Sequence, residues 1–398
     1  MNNYNVKSAQ FIDTYFPIVD GVVQTVHNYA TIMNERSYSC VVAPKGLKEY
    51  DDSTFPYDVF RSASIKVPIA EYSISAPKLD RKLTGILKEK DLEIFHAHSP
   101  FFEGTYASSL AKKLDIPCVA TFHSKYYDDA LNITGSKIIA DIVVKKIVRF
   151  YNTCFRVWAC SKSTAETLKS YGYKGEIDVV DNGSSMFIPA DEREGLRERA
   201  HLEFEIPDGK KVLLFVGHLI WQKNLKLVLD TMKILSETSD EYHLIIAGIG
   251  YDGEKIKKYA DSLNFPDGSV DFIGSIQDRN LLAGLYLNSD LFFFPSVYDN
   301  SPLVVREAAS LGVPSLLTEG SNAAEAVRKN ISGFTAPEDA RLMSEEITKI
   351  FSPSTDYMSV AAAAEREIPK TWSSIVDTVN EKYLDIIKEY NKTKKIRR

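Results

Sequence analysis

A chain of 398 residues exceeds what one hydrophobic core usually fills, so two domains are expected. Its 44% hydrophobic and 26% charged residues suit a globular enzyme, and a net charge of -6 argues against a general nucleic-acid binder. No apolar run approaches the ~20 residues that cross a bilayer, and MNNYNVKSAQ lacks the pattern of a signal peptide, so a cytoplasmic location is expected.

Strand and helix patterns then alternate along the chain. AQFIDT (9–14) reads as a strand, after which Gly21 opens an amphipathic helix reaching Arg36. A glycine at that turn would let backbone approach a phosphate closely. SCVVAP (39–44), LEIFHAH (92–98), PCVATFH (117–123), FRVWAC (155–160) and EIDVVDN (176–182) follow as strands, with helical stretches at 104–114 and 136–151. These runs are continuously apolar rather than alternating, as parallel strands covered on both faces require. The turn-rich, charged stretch 182–209 marks a boundary, and the acidic excess falls beyond Ala190. The pattern restarts with KVLLFVG (211–217), YHLIIAG (242–248), VDFIG (270–274), LFFFP (291–295) and PSLLTEG (314–320). The expected fold is α/β, with two doubly wound parallel-sheet domains over 1–188 and 205–372 facing a cleft. An apolar stripe through Trp372, Ile375, Val376, Val379, Tyr383, Ile386 and Ile387 marks a last helix, about 373–398, placed back on the first domain.

The segment YDNSPLVVREAASLGVP carries the most chemistry. Asp299 lies in a loop after a strand, Ser301, Pro302 and Leu303 follow, and Glu307 stands one turn into a helix. This D-x7-E spacing sets carboxylates, which accept from hydroxyls, beside backbone N–H groups that favour an anion. In FVGHLIWQKNLKLVLD a strand turns at Gly217, His218 leaves the turn, and Lys223 reaches the next helix start, where it could neutralise a phosphate. His96 and His98 share one strand face and His123 ends another strand. No third ligand has fixed local spacing, so no metal site is expected. His96 suits a hydrogen-bonded core role as well as a functional one, and His123 is the better candidate. Cys40, Cys118, Cys154 and Cys160 form no C-x-x-C pair and read as core thiols.

Taken together, from Phe11 to Trp372, the chain resembles the retaining glycosyltransferases of the GT-B fold with an E-x7-E motif. That resemblance implies that Asp299 holds hydroxyls of a donor sugar and Glu307 the nucleotide ribose, with backbone N–H groups near Ser301 and Leu303 on sugar and phosphate. Proline is frequent in the family at the position of Pro302. VGHLIWQKN is similar to the family's diphosphate clamp, with Lys223 kept, but His218 replaces an arginine and Gln222 an acid. A neutral imidazole cannot fork onto two oxygens, which puts phosphate affinity in doubt. Gly21 matches the family's phosphate-side glycine, His123 its sugar-contacting histidine, and 274–276, with Gly274 and Ile276, the loop that receives the base.

The implied donor is a nucleoside diphosphate hexose, most often UDP-linked, used as a substrate with no cofactor or metal. Transfer would go to a lipid or saccharide acceptor with retention of configuration. DTYFPIVDGV, FHAHSPF and TFHSKYYDD look closest to the branch that glucosylates diacylglycerol. The amphipathic run 136–151 carries Lys137, Lys145, Lys146 and Arg149, and with the basic tail 392–398 it would allow peripheral docking on anionic membrane. Two other readings stay open: a nucleotide-sugar epimerase on the same scaffold, and a non-catalytic sugar-nucleotide-binding partner subunit.

Overall fold

The computed structural model describes residues 6–46, 50–66 and 73–397. The chain divides into a unit of 1–182 with 372–398 and a second unit of 183–371. In the first, β1 (Ser8–Phe11), α1 (Gly21–Arg36), β2 (Ser39–Pro44), β3 (Asp58–Ser62), and the hairpin β4 (Ser64–Lys66) and β5 (Ser73–Ser75) come first. Next are α2 (Arg81–Glu89), β6 (Ile94–Ala97), α3 (Phe102–Leu114), β7 (Cys118–Phe122), α4 (Tyr126–Thr134), α5 (Lys137–Tyr151), β8 (Arg156–Ala159), α6 (Lys162–Ser170) and β9 (Ile177–Val179). The seven-stranded sheet has the order β3-β2-β1-β6-β7-β8-β9, and its pairings are parallel.

The second unit holds α7 (Ala190–Glu203), β10 (Lys211–Val216), α8 (Leu225–Thr238), β11 (Tyr242–Ala247), α9 (Gly253–Ser262), β12 (Val270–Gly274) and α10 (Arg279–Leu287). It continues with β13 (Leu291–Phe293), α11 (Leu303–Ser310), β14 (Ser315–Thr318), β15 (Phe334–Ala336), α12 (Ala340–Ile350) and α13 (Tyr357–Glu367). Its sheet, β12-β11-β10-β13-β14-β15, is parallel throughout. Both sheets are therefore Rossmann-like and doubly wound. Apolar runs such as VLLF in β10 and YHLIIA in β11 are buried end to end, so helices cover both faces.

The division falls at Asn182, at the start of the turn-rich stretch 182–209 and before the expected domain end at 188, and α7 belongs to the second unit. Helix α7 packs on α10 so closely that a Cβ on Gly284 would lie 2.1 Å from the Leu196 carbonyl oxygen. Helix α14 (Trp372–Arg397) returns to the first unit, burying Trp372, Ile375, Val376, Val379, Tyr383 and Ile386 there. Tyr383 stacks on Trp158 at 5.6 Å between centroids, and Trp372 meets Tyr29 edge-on at 6.0 Å. The two crossings lie side by side, since Ser184 N donates to Lys370 O at 2.8 Å and Ser184 pairs with Thr371.

Candidate active site

In a doubly wound sheet the loops at the carboxyl ends of strands diverge where the strand order reverses, and ligands bind in that crevice. In the second unit the reversal lies between β10 and β13. The loop after β10 delivers Lys223 and the loop after β13 delivers Asp299. Lys223 Nζ donates to Asp299 Oδ1 at 2.6 Å and Oδ2 at 2.8 Å, and Ser296 Oγ donates to Oδ2 at 2.6 Å. The side chains are only 12% and 18% exposed, so the ammonium and carboxylate meet largely away from water, where their attraction is strong. Asn224 turns the chain in the left-handed region (φ 63°) and ties the loop down by donating to Pro295 O and Glu338 Oε1. Asparagine tolerates that conformation better than most residues.

Pro302 precedes α11 at the cap position and, having no side-chain acceptor, gives its first turn no capping bond. Leu303 opens the helix and Glu307 follows one turn later, buried. Arg279 Nη2, at the start of α10, donates to Glu307 Oε1 at 2.6 Å, and the Tyr286 hydroxyl approaches Oε2 at 3.4 Å. Burial holds that phenol far above its ordinary pKa, so it stays a donor. Each carboxylate of the D-x7-E segment is thus matched by a cation from another strand–helix loop.

Three glycines at the ends of β10, β11 and β12 build the neighbouring wall. Gly217 N donates to Ala247 O and Gly248 N to Gly274 O. Gly248 (φ 144°) lies where a Cβ would be 1.9 Å from the Gly217 carbonyl oxygen, so no larger residue is tolerated. Gly274 also has positive φ, and Ile276 beyond it is half-buried against the second core. His218 is exposed, while Gln222 exchanges hydrogen bonds with Tyr251.

In the first unit Gly21 is the first residue of α1, but the expected phosphate cradle is partly filled. Asp20 Oδ1 accepts from Val22 N and Val23 N, both at 2.8 Å, so the protein's own carboxylate caps these amides. The histidines are brought together. His96 bonds Tyr383 Oη at 2.6 Å and Thr121 Oγ1 at 2.7 Å, and His98 lies between Gln10 and His123. Burial pushes His96 and His98 well below the ordinary imidazole range and His123 down to about 4. All three are neutral at pH 7. Among the described residues, no three His, Cys, Asp or Glu side chains converge in a way suited to a metal ion.

Sequence reading missed Arg279, Tyr286, Gly248 and also Gly250, where a Cβ would lie 2.4 Å from the Leu219 carbonyl oxygen. The G-x-G after YHLIIA was a signal that could have been read, because it sits at a strand end like Gly217. Arg279 gave none, since its partner lies 28 residues away.

A profile described as Glycosyltransferase Family 4 matches residues 19–185, and one described as Glycosyl transferases group 1 matches residues 197–367. The alpha-monoglucosyldiacylglycerol synthase of Streptococcus pneumoniae is 27% identical over 316 residues, covering 78% of this chain and 70% of its own. A GDP-mannose-dependent alpha-mannosyltransferase of Corynebacterium glutamicum is 23% identical over 392 residues, 96% of this chain and 89% of that one. Among solved structures, Anabaena HepE in complex with UDP-glucose aligns with a TM-score of 0.75 at 15% identity, over 96% of this chain and 99% of its own. The sucrose-phosphate synthase of Thermosynechococcus elongatus aligns at 0.79 with 16% identity, over 96% and 100%. At such identities structural likeness speaks for the fold alone. The two sequence profiles fall one on each unit, and with the two Rossmann-like sheets they show that the chain belongs to the GT-B glycosyltransferases of family 4.

Proposed function

We propose that this chain is a retaining, metal-independent hexosyltransferase that uses a UDP-linked hexose and transfers it to a lipid acceptor at an anionic membrane surface. The observation that carries the reading is the Asp299–Lys223 pair at the strand-order reversal, beside the α11 start and the Glu307–Arg279 pair. Asp299 accepts from hydroxyls of the sugar and Glu307 from the ribose. Lys223 has three N–H donors, so it serves Asp299 and a phosphate oxygen together. The acceptor hydroxyl attacks the anomeric carbon on the face from which the diphosphate departs. As the new C–O bond forms and the sugar–phosphate bond breaks, the proton passes to the leaving phosphate. Lys223, His218 and the α11 amides stabilise the charge that develops there, the work a metal ion does in other transferases.

A lipid acceptor is supported by the name of the Streptococcus pneumoniae relative and by the α4–α5 surface. Helix α5 buries Ala140, Val144, Ile147, Phe150 and Tyr151 in its own unit, yet Ile138 is 73% exposed and Ile139 and Ile142 are exposed too. Ile133, at the end of α4, is 84% exposed. Lys137, Lys145, Lys146 and Arg149 lie on the same helix, and such a basic, apolar surface suits anionic headgroups. The described part of the basic tail, up to residue 397, continues α14. Among the described residues no helix is long and apolar enough to cross a membrane.

The test is turnover of UDP-glucose with diacylglycerol in anionic vesicles, followed by UDP release and glycolipid formation. Replacing Glu307 with Ala is expected to lower kcat/KM at least about a hundredfold, through loss of the ribose contact and an unpaired Arg279. An isomerised free nucleotide sugar with no glycolipid sinks the proposal. Preferential stabilisation by GDP-mannose over UDP-glucose in a thermal-shift panel reassigns the donor.

A further inference from the structure

Two thiols of the first unit meet at the amino edge of its sheet. Cys118 opens β7, and Cys154 lies in the turn between α5 and β8. These strands are parallel neighbours with Val119 opposite Arg156, and Phe155 N donates to Cys118 O at 2.7 Å. Neighbouring strands run ~4.8 Å apart and rise ~3.3 Å per residue, so an offset of one residue sets the two Cα atoms about 6 Å apart, a span that a disulfide bridges. The turn holds Cys154 in place. Its N–H donates to Tyr151 O at 3.2 Å, and Thr153 N donates to Phe150 O at 2.8 Å. The Thr153 hydroxyl also pairs with Ser108 Oγ on α3 at 2.7 Å. Both cysteines pack into one core with Tyr151, Leu168 and Tyr173, and there the Cys118 thiol is hydrogen-bonded to Cys154.

The two thiols are unequal in a way that orders their chemistry. Cys118 is 5% exposed, while Cys154 is half-buried, so a small oxidant meets Cys154 first. The hydrogen bond to Cys154, and after it burial, hold the Cys118 thiol well above its ordinary range. A charge on Cys154 also opposes one on Cys118, so Cys118 keeps its proton until its neighbour has reacted. Cys40 makes a contrast: it is wholly buried in β2, and burial pushes its thiol up to about 12.

We propose that Cys118 and Cys154 are a redox modification site, which a peroxide joins into a reversible disulfide that staples the base of the α4–α5 excursion to the sheet. The Cys154 thiolate attacks one peroxide oxygen, the O–O bond breaks, and hydroxide leaves to take up the thiol's proton as water. Cys154 is then a sulfenic acid, and no charge on it opposes ionisation of Cys118. The Cys118 sulfur attacks the Cys154 sulfur, the S–S bond forms, the S–O bond breaks, and the departing hydroxide takes the Cys118 proton as a second water. Two thiols lose two electrons and the peroxide gains them. An added dithiol returns both to the free thiols seen in this structure. Everything between the two sulfurs, β7, α4 and α5, becomes a closed loop, so the helices that were held by packing gain a covalent anchor at their base.

The test uses the intact chain, first fully reduced and then exposed to hydrogen peroxide at about one equivalent. Free thiols are alkylated after unfolding, and peptides are read by mass spectrometry. The expected product is a cross-linked pair of peptides carrying Cys118 and Cys154, lost on treatment with dithiothreitol, with Cys40 still alkylated. In Cys118→Ala the sulfenic acid on Cys154 has no partner, so it is expected to be trapped by dimedone. In Cys154→Ser, Cys118 is expected to stay a thiol. Oxidised wild type is also expected to unfold ~5 °C or more above the reduced protein, a gain that Cys154→Ser does not show. Cys154 carried to the sulfinic acid beside an unreacted Cys118, or a bridge formed only between two chains, overturns the proposal. So does peroxide that reaches Cys40 before Cys154. A bridge that forms without raising the unfolding temperature overturns the stapling. Wild type alone supplies each of these outcomes except the trapping, so a variant that fails to fold leaves the proposal open to refutation.

Discussion

Glu103 shows how burial alone can set a proton. It lies in the first turn of α3, fully buried, with Oε1 accepting from Ser62 and from Ser75 at 2.5 Å. Its backbone N–H donates to Asp13 Oδ1 at 2.9 Å, so two carboxyls share the carboxyl edge of one sheet. Desolvation raises Glu103 from 4.5 to about 7 and Asp13 from 3.8 to about 6. A folded pKa above the unfolded value means the folded state holds the extra proton. Its contribution is full below about 4.5 and is lost as pH rises through about 7. Glu103→Gln cannot ionise, so its stability relative to wild type is expected to rise by ~2 kcal/mol between about pH 5 and pH 8. Urea unfolding at the two pH values measures this, and a flat difference refutes it. The sign is opposite for His123, whose lowered pKa costs stability as pH falls from 6.5 towards about 4. At this scale the sequence displayed Asp299, Lys223 and Glu307, because residue type and strand-end position both pointed to them. It hid Arg279 and the Gln10–His98–His123 run, since those depend on which strands are neighbours.

At the scale of elements, α5 has two apolar surfaces with different duties. Ile147 is buried with Phe150 and Tyr151 in the core under β7, while Ile142 is exposed five residues earlier. Ile142→Asp is expected to change unfolding free energy by less than ~0.5 kcal/mol and to abolish pelleting with anionic liposomes. Ile147→Asp, which buries a charge, is expected to cost more than ~3 kcal/mol. Unchanged pelleting of Ile142→Asp removes the membrane role from this surface. The helix pattern in the sequence announced the buried face and could not apportion the other. Strands were legible where apolar runs were long: SCVVAP is β2 and VDFIG is β12, residue for residue. The missed β3 sits at the sheet edge with Asp58 and Arg61 in it, and the missed β15 has only three residues. Neither carries an apolar run of the length by which the other strands were read.

At the scale of the molecule, the first unit is discontinuous and the second is not. The stretch 183–371 has a complete six-stranded sheet, its own core and ends joined by the Ser184–Thr371 pairing, so it is expected to fold when expressed alone. The stretch 1–182 lacks α14, which leaves Tyr29, His96 and Trp158 without Trp372 and Tyr383. It is expected to aggregate or bind a hydrophobic dye, and to be rescued when 372–398 is joined to it through a short linker. Thermal unfolding and dye fluorescence of the three fragments check this; a cooperative, dye-free 1–182 contradicts it.

The same helix sets a timetable for synthesis. Ribosomes extend a chain by ~5–20 residues each second, so Trp158 is made roughly 10–50 s before the last turn of α14 that is needed to complete its unit. For that interval the nascent first unit carries an uncovered aromatic face beside the exit tunnel, and the second unit emerges and folds meanwhile. Holding factors that shield apolar surface have their natural window there, before the final helix closes the unit that was begun first.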